Sequence, residues 1–201
     1  MSMRVADERD DVLESSLEWT TESSSEIHTN RIFAIERRKM KRVARTLDPG
    51  ADFFVIKGAS WVNIVALTKN DELVLVEQWR HAVEHKTIEI PGGGIDLGEE
   101  PLDAAKRELL EETGYAARTW HSLGVIEPNP AIHANRCHMF VALDAEEVAE
   151  PHFDDNEHCR VSRKPFREVE IDVARGQITH ALVVVALYYE RLRREGILRA
   201  T

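Results

Sequence analysis

Three glutamates share one side of a predicted helix over residues 101–113. On a helical wheel with Glu108 at zero, Glu111 falls at about 300° and Glu112 at about 40°, so the carboxylates span about 100°. Like charges three or four residues apart destabilise a helix by roughly a few tenths of a kcal/mol per pair, and only Arg107 lies close enough to relieve them. The cluster is therefore either a solvated acidic face or a site for divalent cations.

A glycine-rich segment, Gly92–Gly94, precedes this helix and is followed by Gly98 and Glu99. Glycine lets a backbone approach a ligand closely because it has no Cβ atom. Such a loop can bring backbone carbonyls beside the glutamate carboxylates, and an all-oxygen site suits magnesium or manganese. Taken alone, three adjacent glycines indicate a turn more often than a binding loop.

The run from Gly93 to Tyr115 resembles the Nudix box, a pattern written GX5EX7REUXEEXGU in which U is an apolar residue. Every fixed position is present, and Tyr115 departs from the pattern only in placing an aromatic residue where an aliphatic one is usual. The resemblance implies that Glu108, Glu111 and Glu112 bind divalent metal.

The resemblance also assigns roles to the other positions of the box. The carbonyl of Gly92 is expected as a further metal ligand, and Glu99 and Arg107 as an ion pair that holds the loop to the helix. Gly93 and Gly114 occupy the fixed glycine positions. The implied fold is an α/β/α sandwich around a mixed β-sheet, and the implied cofactor is Mg²⁺, with Mn²⁺ as an alternative.

The implied reaction is hydrolysis of a diphosphate linkage inside a nucleotide derivative. Cations held by carboxylates neutralise the phosphates, lower the pKa of bound water and stabilise the departing phosphate. Pro130 resembles the proline found downstream of the box in ADP-ribose pyrophosphatases. Arg80 lies in a segment similar to the one through which nucleotide-sugar hydrolases present an arginine to substrate, and a surface ion pair is the alternative. ADP-ribose is the expected substrate, with GDP-mannose or another nucleotide sugar as the alternative.

An acidic loop over residues 144–158 is the expected source of the general base. Family members that cleave ADP-ribose often draw this base from a glutamate on a loop after the box, and Glu157 matches in position and character. Glu111 is the next candidate, and a merely solvated loop is the alternative. The expected catalytic residues are Glu157, Glu111 and Glu112.

The rest of the chain predicts an α+β domain. Four short segments are rich in β-branched and aromatic residues and indicate sequential antiparallel strands: 32–37, 53–57, 62–68 and 73–79. Two further strands are predicted at 122–126 and 137–143. A short helix is predicted to end near Gly176, and a longer one to cover residues 180–195. This order favours helices packed on a mixed sheet.

The N-terminal region predicts two different parts. Residues 1–25 are polar and predict a loose tail, whereas residues 26–201 predict a single domain. The family resemblance implies a homodimer in which additional N-terminal antiparallel strands, about residues 26–58, are exchanged between subunits.

Charge and composition argue against several other functions. The chain has 26 Lys and Arg against 36 Asp and Glu, a formal net charge of −10, whereas nucleic-acid binding needs a basic surface. The N-terminus lacks the apolar core of a signal peptide, and no apolar stretch is long enough for a membrane span. We therefore expect a cytoplasmic protein with no nucleic-acid or membrane partner. A catalytically silent nucleotide-sugar sensor is the alternative from another class, but the intact box favours an enzyme.

Overall fold

The computed structural model describes residues 17–44, 48–153 and 159–198. The chain divides into two compact units. The first contains the residues up to Gly58 together with Asn129–Ala134, and the second contains Ala59–Pro128 and the residues from Asn135 onward.

Three antiparallel strands form the sheet of the first unit: β1 (Trp19–Thr29), β2 (Phe33–Arg42) and β3 (Ala51–Gly58). Asn30 closes the turn between β1 and β2, because its Oδ1 accepts hydrogen bonds from the amides of Ile32 and Phe33 at 2.8 and 3.0 Å. Residues 129–134 lie beside β3, where the Ile56 amide donates to the Ile132 carbonyl at 2.7 Å.

β1 overlaps the segment that the sequence predicts to be a loose tail, so that prediction was wrong for residues 19–25. The strand pairs with β2 antiparallel, with Thr20 opposite Lys41 and Ser24 opposite Arg38, and the register shifts at two irregularities along it. Nearly all of its side chains are exposed. A strand exposed on both faces lacks the alternation of apolar and polar residues by which a strand is predicted. Residues 1–16 lie outside the described part of the chain, and the single domain over residues 26–201 stays a prediction.

The second unit is built on a mixed six-stranded sheet. Its strands are β4 (Trp61–Leu67), β5 (Glu72–Arg80), β6 (His85–Glu89), β8 (Thr119–Ile126), β9 (Cys137–Leu143) and β11 (Arg160–Pro165). Their order is β11-β5-β4-β9-β8, with β6 paired to β5. Only the β4–β9 pair is parallel among the strand pairs described in this sheet. Two short strands, β7 (Tyr115–Ala116) and β10 (Glu146–Glu147), pair separately.

Three helices cover the two faces of this sheet: α1 (Pro101–Thr113), α2 (Phe166–Ala174) and α3 (Ala181–Arg194). Successive residues of β4 point to opposite faces, as the pleat of a strand requires. Ile64 packs in the apolar cluster that contains Leu109 of α1. Its neighbour Val65 packs in the cluster that contains Val183 of α3. The sheet is therefore the middle layer, with α1 on one face and the two later helices on the other.

Local signals explain the bounds of α1. Pro101 stands in the first turn, where the amide that it lacks would have no helical partner. Gly114 ends the helix in the left-handed conformation, with φ of 72°, and its amide donates to the Leu110 carbonyl at 2.8 Å. The predicted bounds of this helix are therefore confirmed.

The α+β prediction is confirmed, but β6 and β11 were missed. Both are short, and β11 consists largely of charged and exposed residues. Strands of this kind depend on backbone pairing with β5, which no local sequence pattern reports. Within the residues described, no helix is long and apolar enough to cross a membrane.

Candidate functional site

The glycine-rich loop before α1 runs alongside β4. The Ile64 amide donates to the Pro91 carbonyl and the Val62 amide to the Gly93 carbonyl, both at 2.9 Å. This antiparallel pairing places Gly92 directly opposite Asn63. A Cβ atom at Gly92 would lie 2.2 Å from the Val62 carbonyl oxygen, so only glycine permits this approach.

Asn63 is buried at the same place. Its Nδ2 donates no hydrogen bond to any residue that the structure describes. Sequence reasoning did not detect this buried amide beside the glycine loop.

Glu112 connects α1 to this loop. The side chain is buried, and its Oε2 accepts a hydrogen bond from the Gly92 amide at 2.8 Å. A charged acceptor strengthens such a bond. The carboxylate is thereby held beside the peptide groups on either side of Gly92, one of which carries the predicted carbonyl ligand.

Glu108, one turn earlier on α1, lies over Gly93. A Cβ atom at Gly93 would come within 2.4 Å of both carboxylate oxygens of Glu108. The Glu108 side chain is 14% exposed, whereas that of Glu111 is 47% exposed. Two of the three predicted metal-binding glutamates are therefore packed against the glycine loop, and the third faces solvent more openly.

Arg107 links the loop and the acidic face of α1. Its Nε and Nη2 donate to the two carboxylate oxygens of Glu99 at 3.0 and 2.9 Å, and Nη2 also donates to the Gly94 carbonyl at 2.9 Å. Its Nη1 donates to Glu108 at 2.7 Å and to Glu111 at 3.1 Å. The hydrogen bonds from Arg107, assisted by the Asp96 amide, lower the pKa of Glu99 to about 2. The pair therefore stays ionised at neutral pH.

The arrangement fits a divalent cation by its chemistry. Carboxylates and backbone carbonyls are hard oxygen ligands of the kind that Mg²⁺ and Mn²⁺ take. Among the described residues, no three acidic, histidine or cysteine side chains are gathered closely enough to hold a metal as they stand. Arg107 Nη1 instead contacts Glu108 and Glu111, and Glu112 accepts from the Gly92 amide. A cation at these carboxylates would take over the charge compensation that Arg107 supplies.

Arg80, the predicted substrate-binding arginine, is held in an ion pair at the ends of β5 and β6. Its Nε and Nη2 donate to the carboxylate oxygens of Glu89 at 2.7 and 2.6 Å. This is the ion pair that the sequence left open as the alternative, although Nη1 makes no hydrogen bond to any residue described. Glu89 was missed, since β6 was not predicted and a single glutamate in a short segment gives no pattern.

Two predicted site residues stay predictions. Pro130 lies in a turn of the first unit, where the Ile132 amide donates to the Asn129 carbonyl at 3.1 Å. Glu157 falls in residues 154–158, which are outside the described part of the chain.

Comparison with known proteins now decides the family. The model of the NUDIX domain matches residues 59–183, which is more than half of the chain. The chain belongs to the NUDIX domain family. The matched segment contains the glycine loop, the whole of α1 and all strands of the mixed sheet, so the Nudix box lies in its expected context.

Relatives of this Nudix protein cover most of its length. An ADP-ribose pyrophosphatase of Mycobacterium tuberculosis is 29% identical over 175 residues, covering 85% of this chain and 82% of the relative. An ADP-ribose pyrophosphatase of Bacillus subtilis is 28% identical over 140 residues, covering 69% and 76%. A crystal structure of an ADP compounds hydrolase superimposes with a TM-score of 0.76 at 22% identity, covering 90% of this chain and 97% of that one. The predicted Nudix fold is confirmed.

The three adjacent glycines of the loop should respond differently to alanine. Gly93→Ala places a methyl group against the Glu108 carboxylate, which can turn away because it ends a flexible side chain. We expect a folded protein whose Mn²⁺ affinity, measured by isothermal titration calorimetry, falls by about tenfold or more. Gly92→Ala meets the backbone of Val62 instead, so its unfolding free energy should fall by about 2 kcal/mol or more.

Gly94→Ala is the matched control, because a Cβ atom there meets nothing within 4 Å. Both its stability and its Mn²⁺ affinity should equal those of the wild type. Unchanged Mn²⁺ affinity in Gly93→Ala would contradict the assignment of Glu108 as a metal ligand.

Proposed function

We propose that this protein hydrolyses the diphosphate of a nucleoside diphosphate sugar, with ADP-ribose as substrate and AMP and ribose 5-phosphate as products, in a reaction that depends on Mg²⁺. The observation that carries the proposal is the packing of Glu108 and Glu112 of an intact Nudix helix against the glycine loop. Relatives that match most of the chain and are named ADP-ribose pyrophosphatases support the assignment of ADP-ribose as substrate.

In this proposal, Glu108, Glu112 and the Gly92 carbonyl hold the cation, with Glu111 as a further ligand. The bound cation neutralises the diphosphate and lowers the pKa of water. Arg107 keeps α1 attached to the loop through Glu99 whether or not the Nη1 contacts are made, because its other two nitrogens serve that ion pair. The protein has a net charge of −10, so an anionic substrate approaches only where cations or arginines compensate the glutamates.

In this proposal, Arg80 contributes a positive charge to the binding of the substrate. The interaction with Glu89 raises the pKa of Arg80, and the negative charge of Glu112 adds to that effect. A guanidinium influenced by a metal-binding carboxylate is suited to contact a phosphate oxygen. Pro130 remains a proposed substrate-binding residue from the family resemblance alone.

Glu157 is the proposed general base, with Glu111 as the second candidate. The chain just before the loop that carries Glu157 is bonded to the end of α1, since the His152 amide donates to the Glu111 carbonyl at 2.8 Å and the Val148 amide to the Gly114 carbonyl at 2.9 Å. A loop anchored at this end of α1 can deliver a base to water activated there. This anchoring supports the assignment to the loop.

The substrate is tested by product analysis. We expect the purified protein with Mg²⁺ to release AMP from ADP-ribose with a higher kcat/KM than it shows towards GDP-mannose, ADP-glucose, diadenosine polyphosphates or deoxynucleoside triphosphates. GDP-mannose is the second candidate, and a higher kcat/KM for it would replace ADP-ribose as the assigned substrate. No hydrolysis of any of these compounds would contradict the proposed activity.

Glu112→Gln tests the metal assignment within the same assay. Glutamine keeps the acceptor for the Gly92 amide but removes the charge, so the fold should persist while kcat falls by about a hundredfold or more. Asp103→Asn is the matched control, because it removes an exposed carboxylate from the same helix and should leave kcat unchanged. A Glu112→Gln variant with more than about half of the wild-type activity at saturating Mg²⁺ would show the assignment to be wrong.

Glu157→Gln separates a base from a metal ligand. We expect kcat to fall strongly, KM to stay within a few fold and Mn²⁺ affinity to remain unchanged, because the proposed ligands lie on α1 and its preceding loop. Glu150→Gln, which changes an exposed glutamate earlier in the same acidic segment, serves as control. Normal kcat in Glu157→Gln would move the base to Glu111 or to metal-bound hydroxide.

We also propose a homodimer in which the N-terminal strands contribute to the partner subunit. The exposed β1–β3 sheet, with Phe53 and Phe54 each at least 40% exposed, supports this. The chain has a mass of 22.9 kDa, and light scattering should give twice this value. A monomer that is fully active at nanomolar concentration would defeat the idea.

A further inference from the structure

Glu89 is a buried carboxylate that the metal chemistry does not use. It is the last residue of β6, its side chain is 5% exposed, and it lies opposite Val76 of β5. Burying a carboxylate is unfavourable unless hydrogen bonds and an opposite charge compensate it. The partners of Glu89 therefore indicate why it is there.

The β5–β6 hairpin brings these partners to one face. Arg80 pairs with His85 and Gln78 with Thr87 in the register of the hairpin, so Arg80, Thr87 and Glu89 alternate onto the same side. Arg80 approaches Glu89 in a fork, through two hydrogen bonds of 2.7 and 2.6 Å. The Thr87 hydroxyl donates to Glu89 Oε1 at 2.5 Å.

The charges of the pair are secure. Burial raises the pKa of Glu89, but the hydrogen bonds from Arg80 and Thr87 outweigh it, and the net pKa lies below its ordinary value. Glu89 in turn raises the pKa of Arg80. Both groups are therefore ionised at neutral pH, and the fork persists there.

The fork occupies one edge of the guanidinium and leaves the other. Nε and Nη2 bind Glu89, whereas Nη1 makes no hydrogen bond to any residue in the described part of the chain. The Arg80 side chain is 44% exposed. Its side chain lies on the α1 face of the sheet, because Val74, on the same side of β5, packs in the apolar cluster that contains Leu109 of α1. The outer edge of Arg80 is thus a pair of oriented donors on the face of the sheet that carries α1 and its glutamates.

We propose that Glu89 is a positioning residue that holds Arg80 so that its Nη1 edge donates to a phosphate oxygen of the diphosphate bound at the Glu108 and Glu112 cation. An unpaired arginine has many side-chain conformations, and fixing one of them beforehand lowers the cost of binding. The inference rests on the proposed function, because it assumes a diphosphate at that cation. A purely structural role, in which the pair only joins β5 to β6, is the competing explanation.

A double-mutant cycle separates these explanations. If Glu89 acts through Arg80, Glu89→Gln should lower kcat/KM for ADP-ribose by about tenfold to a hundredfold, the loss expected for a charge-assisted hydrogen bond. In an Arg80→Ala background, the same change should cause no further loss, because no guanidinium remains to be oriented. Independent losses that multiply in the double variant would overturn the proposal.

Two further measurements address the remaining roles. The Mn²⁺ affinity of Glu89→Gln should equal that of the wild type, and a drop of more than about fivefold would make Glu89 a metal ligand instead. Added guanidinium ion should restore part of the activity of Arg80→Ala, where Glu89 can bind it, and none in the double variant. Equal rescue of both variants would also contradict the positioning role.

Asp172→Asn is the matched control for stability. Asp172 is a buried carboxylate of α2 that accepts a hydrogen bond from Lys164 at 2.5 Å, and it belongs to no part of the proposed site. We expect Asp172→Asn to lower the thermal unfolding midpoint about as much as Glu89→Gln does, but to leave kcat/KM unchanged. If Asp172→Asn lowers kcat/KM as much as Glu89→Gln does, loss of stability explains both effects and the proposal fails.

Failure of the proposed function would be distinguishable from failure of this inference. Inorganic pyrophosphate with Mg²⁺, titrated calorimetrically, reports the phosphate contact without any turnover. If the wild-type protein binds pyrophosphate but does not hydrolyse ADP-ribose, the assigned substrate is wrong. The double-mutant cycle is then measured on pyrophosphate affinity. Glu89→Gln and Arg80→Ala should each weaken that affinity equally, and the double variant should show no further loss. Pyrophosphate binding that is unaffected by Arg80→Ala would overturn the inference itself.

Discussion

The hydrogen bond from the Gly92 amide to the Glu112 carboxylate is the contact on which the arrangement of the site depends. It joins the end of the helix that carries the acidic residues to a loop that is itself paired with a central strand. Because that strand is buried on both faces, the loop cannot shift without disturbing the core. The position of the helix relative to the loop is therefore determined by backbone pairing and one charged acceptor, and a side chain at Gly92 would prevent both.

Charge compensation is the second constraint, and Arg107 is central to it. Three glutamates within one and a half turns of helix repel one another, and the protein as a whole is negative. Arg107 compensates this repulsion because its donors bind different carboxylates. One edge of its guanidinium donates to Glu99, and the remaining nitrogen donates to Glu108 and Glu111. The first contact fastens the loop to the helix, and the second compensates the carboxylates that we assign to the cation. One arginine therefore supports both the fold of the box and the charge balance of its acidic face.

The two arginine–glutamate pairs of the site have contrasting geometry. Arg107 has hydrogen bonds on all three guanidinium nitrogens, so its charge is directed inward to the protein. Arg80 is partly exposed, and two of its nitrogens donate to Glu89 while the third bonds to none of the residues in the described ranges. The same two-bond geometry therefore occurs in one arginine that is enclosed by its partners and in another that is partly exposed. This difference comes from the β5–β6 hairpin, which places Glu89 within reach of Arg80, and it is the basis of the positioning role that we propose for Glu89.

The sequence by itself determined the chemistry and the helix that bears it. Glu108 and Glu112 recur at helical spacing, and Pro101 and Gly114 mark the ends of the helix. The run of glycines indicates a close backbone approach. All of these are local properties of the chain. Tertiary structure alone decided that β1 is a strand, since its side chains are exposed and show no apolar pattern. Tertiary structure likewise decided that Glu89 pairs with Arg80, since the two residues lie on different strands of a hairpin. It also decided that Arg107 reaches Glu108 and Glu111 as well as Glu99. Contacts between distant segments depend on the register of strand pairing and on which faces of the elements are buried. Neither feature can be predicted from the neighbouring residues in the sequence.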